Sequence, residues 1–242
     1  MPGPSLRAAF IPSGGCRLQG GLYLAAGDAP QPAVLLLHGL PGHEKNLDLA
    51  IELRQRGLHC LYFHYRGSWG SEGDFSCTHL VPDAEAALDW LKRQPEVDAQ
   101  RIALVGFSLG GCTALTLARR RRPAACVAVA PLLDPGLTPL PPDLAEESAA
   151  TLKGTTPDRL TIEWASLSPA MDLIPALRCP ILMVTAGLDE LFPSAHFDPF
   201  RAASPNLRWI RFPQAGHVFS DVRPGLRHTV VRWLLGILQS PD

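Results

Sequence analysis

Apolar positions along this chain fall into two alternating patterns. Short unbroken apolar runs, as in AVLLLHG (33–39), LHCLYFHY (58–65), RIALVGF (101–107), ACVAVAP (125–131), PILMVTAG (180–187) and LRWIRFP (207–213), have the length and composition of buried strands. Between them lie longer amphipathic stretches. HEKNLDLAIELRQRG (43–57) predicts a helix closed by glycine, and VPDAEAALDWLKRQ (81–94) a helix with proline at its start. LGGCTALTLARRR predicts a third helix, and residues 222–239, with VVRWLLGIL, a last one. Residues 6–26 predict an antiparallel hairpin at a sheet edge. Strands alternating with helices predict an α/β fold, a mostly parallel sheet covered on both faces.

One segment, residues 132–177, breaks this rhythm. It is rich in proline and lies between two strands that one helix would otherwise join. A stretch of this length inside a compact domain carries structure or function of its own. It predicts a small cap inserted at the carboxyl end of the sheet of a single domain spanning residues 1–242.

Composition narrows the function. The 242 residues suffice for a sizeable core, with 46% hydrophobic and 19% charged residues. The 22 basic and 23 acidic residues leave a formal charge of −1, which provides no electrostatic basis for binding nucleic acid or an anionic membrane. The four arginines from Arg119 to Arg122 sit at a predicted helix end, where cations complement the macrodipole. No apolar run approaches the roughly 20 residues of a membrane span, and the first residues lack the apolar core of a signal peptide. Six cysteines (Cys16, Cys60, Cys77, Cys112, Cys126, Cys179) are scattered without CxxC pairing, mostly in apolar contexts. That spacing predicts buried reduced thiols and a cytoplasmic location, and gives no support for a zinc site.

The candidate chemistry begins at LVGFSLGG. GFSLG, residues 106–110, matches G-x-S-x-G between a strand and a helix, the context in which that motif lifts its serine clear of the sheet. Ser108 is the candidate nucleophile. A serine hydroxyl needs a base, and the base an orienting carboxylate. The strand PILMVTAG is followed by LDELFP, offering Asp189, and the strand LRWIRFP by QAGHVF, offering His217. Glu190 and Asp134 are the competing acids; Asp189, directly after the turn, is preferred. His217 is the histidine that follows a glycine after the last strand. His59, His64, His79 and His228 are read as structural or packing residues, and His196, at a loop-to-helix entry, is a candidate lining residue with no assigned role. The amide of Leu109, immediately after the nucleophile, is one oxyanion donor. The other is assigned to the amide of Leu40 in HGLPGHEKN, where His38 is a neutral brace and the roles of His43 and Glu44 stay open. Trp69, Trp164, Leu167, Met171 and Val218 are candidate lining residues of an apolar substrate pocket.

Taken in order, HGLPGHEKN, YRGSWGSEGDF, GFSLGG, GLDELFP and GHVF resemble the α/β-hydrolase superfamily. Within it, the pattern is similar to small serine esterases and acyl-peptidase-like hydrolases, the neighbourhood of cinnamoyl (feruloyl) esterases and dienelactone hydrolases. The resemblance spans about residues 30–238. It implies Ser108 as nucleophile, Asp189 as acid, His217 as base, and the amides of Leu40 and Leu109 as oxyanion hole. Serine in place of cysteine at 108 departs from the dienelactone hydrolase branch. The implied function is hydrolysis of short to medium acyl or aryl carboxylic esters through an acyl-enzyme. An aminoacyl peptidase, thioesterase or lactonase would use the same triad, and a non-catalytic binding protein on this fold is the remaining alternative. Haloalkane dehalogenase chemistry needs a carboxylate at 108 and is excluded. No metal or organic cofactor is implied; the expected partner is a small-molecule ester, and the expected state a monomer or homodimer.

Overall fold

A computed structural model describes residues 3–28, 30–203 and 207–239 of the chain. The strands are β1 (Ser5–Ser13), β2 (Cys16–Leu24), β3 (Gln31–Leu37), β4 (His59–Phe63), β5 (Val97–Phe107), β6 (Ala125–Val129), β7 (Ile181–Ala186) and β8 (Leu207–Phe212). They form one sheet in the order β1-β2-β4-β3-β5-β6-β7-β8. The β1–β2 hairpin and the β2–β4 pairing are antiparallel, and every pairing from β4 through β3 to β8 is parallel.

The helices are α1 (Leu47–Gln55), α2 (Leu80–Lys92), α3 (Leu109–Arg121), α4 (Pro142–Thr151), α5 (Pro157–Ala165), α6 (Asp198–Ala203) and α7 (Arg223–Leu238). Alternation along the central strands divides the core between them. Leu35, Leu37, Leu104, Cys126, Ala128, Ile181 and Met183 face α2, α3 and the 132–177 insertion. Val34, Leu36, Val105, Val127, Val129, Leu182 and Val184 face α1 and α7. Burial on both faces is why these strands read as continuous apolar runs.

The first helix is shorter than its pattern predicts. Residues 43–46 are loop, because Asn46 takes a left-handed conformation (φ 56°) and its N–H donates to Glu44 Oε1 at 2.7 Å. This local turn competes with the helix for the same backbone donor. The arginine run ends α3 as expected, and Arg121 pairs with Asp89 on α2. All six cysteines are free, and five of them are buried. Among the described residues no helix is long and apolar enough to cross a membrane.

Between β6 and β7 the insertion contributes α4, α5 and a 3-10 segment at Ala170–Ala176. Both of its ends are tied at Leu133. The Leu133 carbonyl accepts from Ala170 N at 2.6 Å, and its N–H donates to His196 Nε2 at 2.8 Å. The insertion is fastened to the loop after β4 by three further bonds. Phe75 N donates to Lys153 O (2.8 Å), Lys153 N to Gly67 O (2.8 Å), and Cys77 N to Glu163 Oε2 (2.8 Å). The loop after β4 is itself locked onto α2 by a buried ion pair. Asp83 accepts from Arg66 Nε at 2.8 Å, from Arg66 N at 2.9 Å and from Ser13 Oγ at 2.7 Å.

Candidate active site

Ser108 sits between β5 and α3 with φ 53° and ψ −120°, a conformation a non-glycine residue adopts only when its surroundings enforce it. Those surroundings are backbone. A side chain at Gly106 would lie 2.1 Å from the Gly110 carbonyl oxygen, and one at Gly110 would lie 2.2 Å from that of Leu37. The chain therefore turns within a space that admits only hydrogen at these two positions. The Ser108 N–H donates to Val129 O at 2.9 Å, and its carbonyl accepts from Gly111 at 2.9 Å and from Leu132 at 3.2 Å. The serine is thus held between β6 and the first turn of α3, at the positive end of that helix.

The loop after β3 passes directly over the serine. A Cβ on Gly39 would stand 3.0 Å from Ser108 Cβ, so the chain from Gly39 to Leu40 runs against Ser108. His38 anchors this loop. It is buried, its Nδ1–H donates to Gly39 O at 2.8 Å, and its ring meets Tyr65 edge-on at 4.7 Å. Burial lowers its pKa to about 4, so the ring is neutral at physiological pH and serves as a brace, not a base.

The candidate acid and base come from the ends of β7 and β8. His217 Nδ1 lies 3.0 Å from Asp189 Oδ1 and 3.1 Å from Oδ2. The same Asp189 Oδ1 accepts from Leu191 N (3.0 Å) and Phe192 N (2.8 Å). Three donors converge on a carboxylate whose side chain is 1% exposed. Its charge fixes the His217 proton on Nδ1 and leaves Nε2 free to accept. The Phe192 ring meets the imidazole edge-on at 5.0 Å. Asp134, the competing acid, is occupied by the amides of its own loop, Gly136 and Leu137.

Ser108 and His217 open onto one cleft of about 310 Å³, within the range of small-molecule sites. Gly39, Leu40 and Pro41 form one wall, with Phe107 and Val129 beside the serine. Val218 and Leu191 close the side beyond the histidine, and α4 contributes Leu144 and Glu147. Of the proposed lining residues, Val218 is therefore in place.

Three others are not. Trp164 is 2% exposed and donates from Nε1 to Thr138 O at 2.8 Å, packing the insertion's own core. Leu167 borders a separate hollow behind α3, beside Cys77 and Cys112. Trp69 stands outside the loop after β3, with Nε1 donating to Pro41 O at 3.0 Å and its ring edge-on to His43. Each is drawn away from the cleft by a packing or hydrogen-bonding demand that composition alone does not reveal. The side chain of Met171 lies outside the described residues.

The cleft also holds residues that pattern reasoning assigned no part. His43 Nε2 meets Glu147 Oε1 at 2.9 Å, linking the loop after β3 to α4. Arg223 is gripped by Asp48 through Nε (2.8 Å) and Nη2 (2.7 Å), and its guanidinium lies over the Phe107 ring at 5.6 Å. Glu190 accepts the backbone N–H of His217 through Oε2 at 3.0 Å. His196 is not a lining residue: it is buried, stacks on Phe192 and accepts from Leu133.

Eight strands in this order, with a strained serine at the β5–α3 turn, define an α/β-hydrolase. The model of the X-Pro dipeptidyl-peptidase (S15) family matches residues 15–136, just over half of the chain. The chain belongs to that family, within the α/β-hydrolase superfamily to which its motifs pointed. An uncharacterized protein of Mycobacterium tuberculosis is 33% identical over 205 residues, covering 84% of this chain and 69% of its own. The alpha/beta hydrolase domain-containing protein WAV2 of Arabidopsis thaliana is 26% identical over 220 residues, covering 85% and 70%. Among solved structures, Est1E of Butyrivibrio proteoclasticus with ferulic acid bound superimposes with a TM-score of 0.79 at 18% identity. The match covers 96% of this chain and 100% of that one, and shows the shared fold.

Proposed function

We propose that this protein is a serine hydrolase that cleaves carboxylic esters of short to medium acyl or aryl type through an acyl-enzyme intermediate. The observation that carries the reading is the Asp189–His217 pair on the cleft into which the strained Ser108 turn opens. In this mechanism His217 Nε2 takes the Ser108 proton as Oγ attacks the ester carbonyl. The amides of Leu40 and Leu109 donate to the tetrahedral oxyanion, and Asp189 stabilises the imidazolium. His217 then protonates the leaving alcohol. Water, deprotonated by the same nitrogen, attacks the acyl-enzyme and releases the acid and Ser108. The apolar lining from Leu40, Leu144, Leu191 and Val218 suits an acyl chain or ring, and the ferulic acid bound to Est1E is a ligand of the aryl type.

A second reading, cleavage after an X-Pro dipeptide, is favoured by the family model and by Glu44, Glu147 and Glu190 around the cleft, which suit a substrate ammonium. Purified protein should be titrated with a fluorophosphonate and assayed on p-nitrophenyl acetate, butyrate and octanoate beside an X-Pro p-nitroanilide. The expected result is stoichiometric labelling at Ser108 with ester turnover, and a loss of roughly 10⁴–10⁶-fold in Ser108→Ala. Turnover of the anilide alone would establish the peptidase, and ester turnover surviving in Ser108→Ala would refute the nucleophile.

A further inference from the structure

Two consecutive carboxylates, Asp189 and Glu190, reach the same histidine from different directions. Asp189 takes the imidazole Nδ1–H, whereas Glu190 Oε2 takes the backbone N–H of His217 at 3.0 Å. The residue before the histidine is shaped to allow this. A Cβ on Gly216 would lie 3.1 Å from Glu190 Oε2, so a side chain there would crowd the carboxylate that its neighbour's amide binds. The β7 and β8 loops are also joined by Leu188 N donating to Ala215 O at 2.8 Å, two positions ahead of the histidine.

We propose that Glu190 is a positioning residue for the base: its carboxylate holds the His217 backbone so that the imidazole stays aligned with Ser108. The inference deepens the serine-hydrolase reading and rests on it. A histidine on a surface loop has two freedoms, rotation of its ring and displacement of its backbone. Asp189 restrains the first by its bond to Nδ1. Glu190 restrains the second with a hydrogen bond strengthened by its charge, beside the Leu188–Ala215 and Phe219–Gly216 backbone bonds of the same loop. Proton transfer from serine falls off steeply with misplacement of the base, so this restraint acts on turnover more than on substrate affinity. The other titratable or charged side chains bordering the cleft are His43 and Glu44 on the loop after β3, Glu147 on α4 and Arg223 on α7. Each has a partner elsewhere: Glu147 for His43, Asn46 N for Glu44 and Asp48 for Arg223. None of these partners is the His217 amide, which donates to Glu190.

The test compares Glu190→Ala and Glu190→Gln with wild type, using p-nitrophenyl butyrate turnover and the rate of fluorophosphonate labelling. Glu190→Ala removes the acceptor; Glu190→Gln keeps a carbonyl oxygen in its place. The expected result is a fall in kcat of about 10–50-fold in Glu190→Ala with KM within twofold. The labelling rate should drop in parallel, and Glu190→Gln should recover most of both. Thermal melts should show all variants folded. An unchanged kcat in Glu190→Ala would overturn the proposal, as would a rise in KM common to both variants, which would make Glu190 a substrate contact. Ser108→Ala and His217→Ala separate the two levels of the argument. If they retain activity, the hydrolase reading itself fails; if they are dead while Glu190→Ala is unimpaired, only the positioning role fails.

Discussion

The imidazole of His217 and the carboxylate of Asp189 meet at 3.0 Å although 28 positions separate them in the chain. Adjacent parallel strands bring them together. β7 and β8 pair in register from Ile181–Leu207 to Ala186–Phe212, and the two loops leave the sheet side by side at its carboxyl edge. Gly187 N donates to Phe212 O at 2.8 Å and holds the start of that divergence.

Asp189→Asn should abolish most activity without unfolding the protein. Asp189 Oδ1 is fixed by the N–H groups of Leu191 and Phe192, which donate to it and so require an oxygen at that place. The new NH₂ group then replaces Oδ2, 3.1 Å from His217 Nδ1. As a donor there it competes with the Nδ1–H and favours the tautomer with its proton on Nε2, where the base should be. A fall in kcat of about 10³–10⁴-fold with Tm nearly unchanged is expected. Wild-type turnover in this variant would remove Asp189 from the triad.

Gly106→Ala should destabilise the turn that presents the serine. The added methyl would overlap the Gly110 carbonyl oxygen and stand 2.8 Å from Ala114 Cβ. Relief requires moving α3 or the strand, at about 3 kcal/mol, the upper end of overpacking penalties. For a chain of this size that is a Tm lowered by roughly 6–12 °C, read by calorimetry together with a loss of ester turnover. A normal Tm would mean the turn is looser than its contacts indicate.

Asp83→Ala should be among the most destabilising single changes far from the cleft. It strands the Arg66 guanidinium, whose side chain is 11% exposed, and removes the acceptor of Ser13 Oγ and of Arg66 N. Breaking a buried pair from one side costs about 3–5 kcal/mol, which urea denaturation at pH 7 would register. A change under about 1 kcal/mol would show that water replaces the lost partner.

Acid should weaken the fold before its surface carboxylates titrate. Burial lowers His38 to about 4 and His64 to about 3. Unfolded, both take up protons below about 6.5, whereas the folded rings stay neutral. The unfolded state therefore binds more protons, and the stability present above pH 6.5 is lost as pH falls toward 4. Each histidine contributes a slope of roughly 1.4 kcal/mol per pH unit across that window. Urea midpoints between pH 7 and 4.5 would measure it, and His64→Gln should flatten the profile. A profile equally steep in that variant would exclude His64 as a source.

Much of this was legible in the chain because it depends on local signals. Strands buried on both faces announce themselves as unbroken apolar runs, and a serine between two glycines at a strand–helix junction implies a tight turn. The candidate acid and base were assigned from their places after strands, and Asp189 and His217 do lie against each other. What escaped was tertiary in origin. Trp164 and Trp69 have the composition of pocket residues, but Thr138 O and Pro41 O claim their indole N–H groups from distant segments. Nor does DEL reveal that the second carboxylate reaches a backbone amide 27 positions later. The six-residue α6 is too short to show a helical period, and the start of α1 was displaced by a side-chain turn at Glu44 and Asn46.

The closure at Leu133 makes the segment it bounds an exchangeable cassette. Its outgoing and returning strands of chain meet at one residue, and the bond from that residue to His196 anchors the meeting point to the loop that follows Asp189. A replacement of different length would span the same fixed gap, and the entropy of closing a longer loop grows only slowly with its length. The wall that α4 gives the cleft, Leu144 and Glu147, belongs to this excursion of the chain, whereas Ser108 and His217 lie outside it.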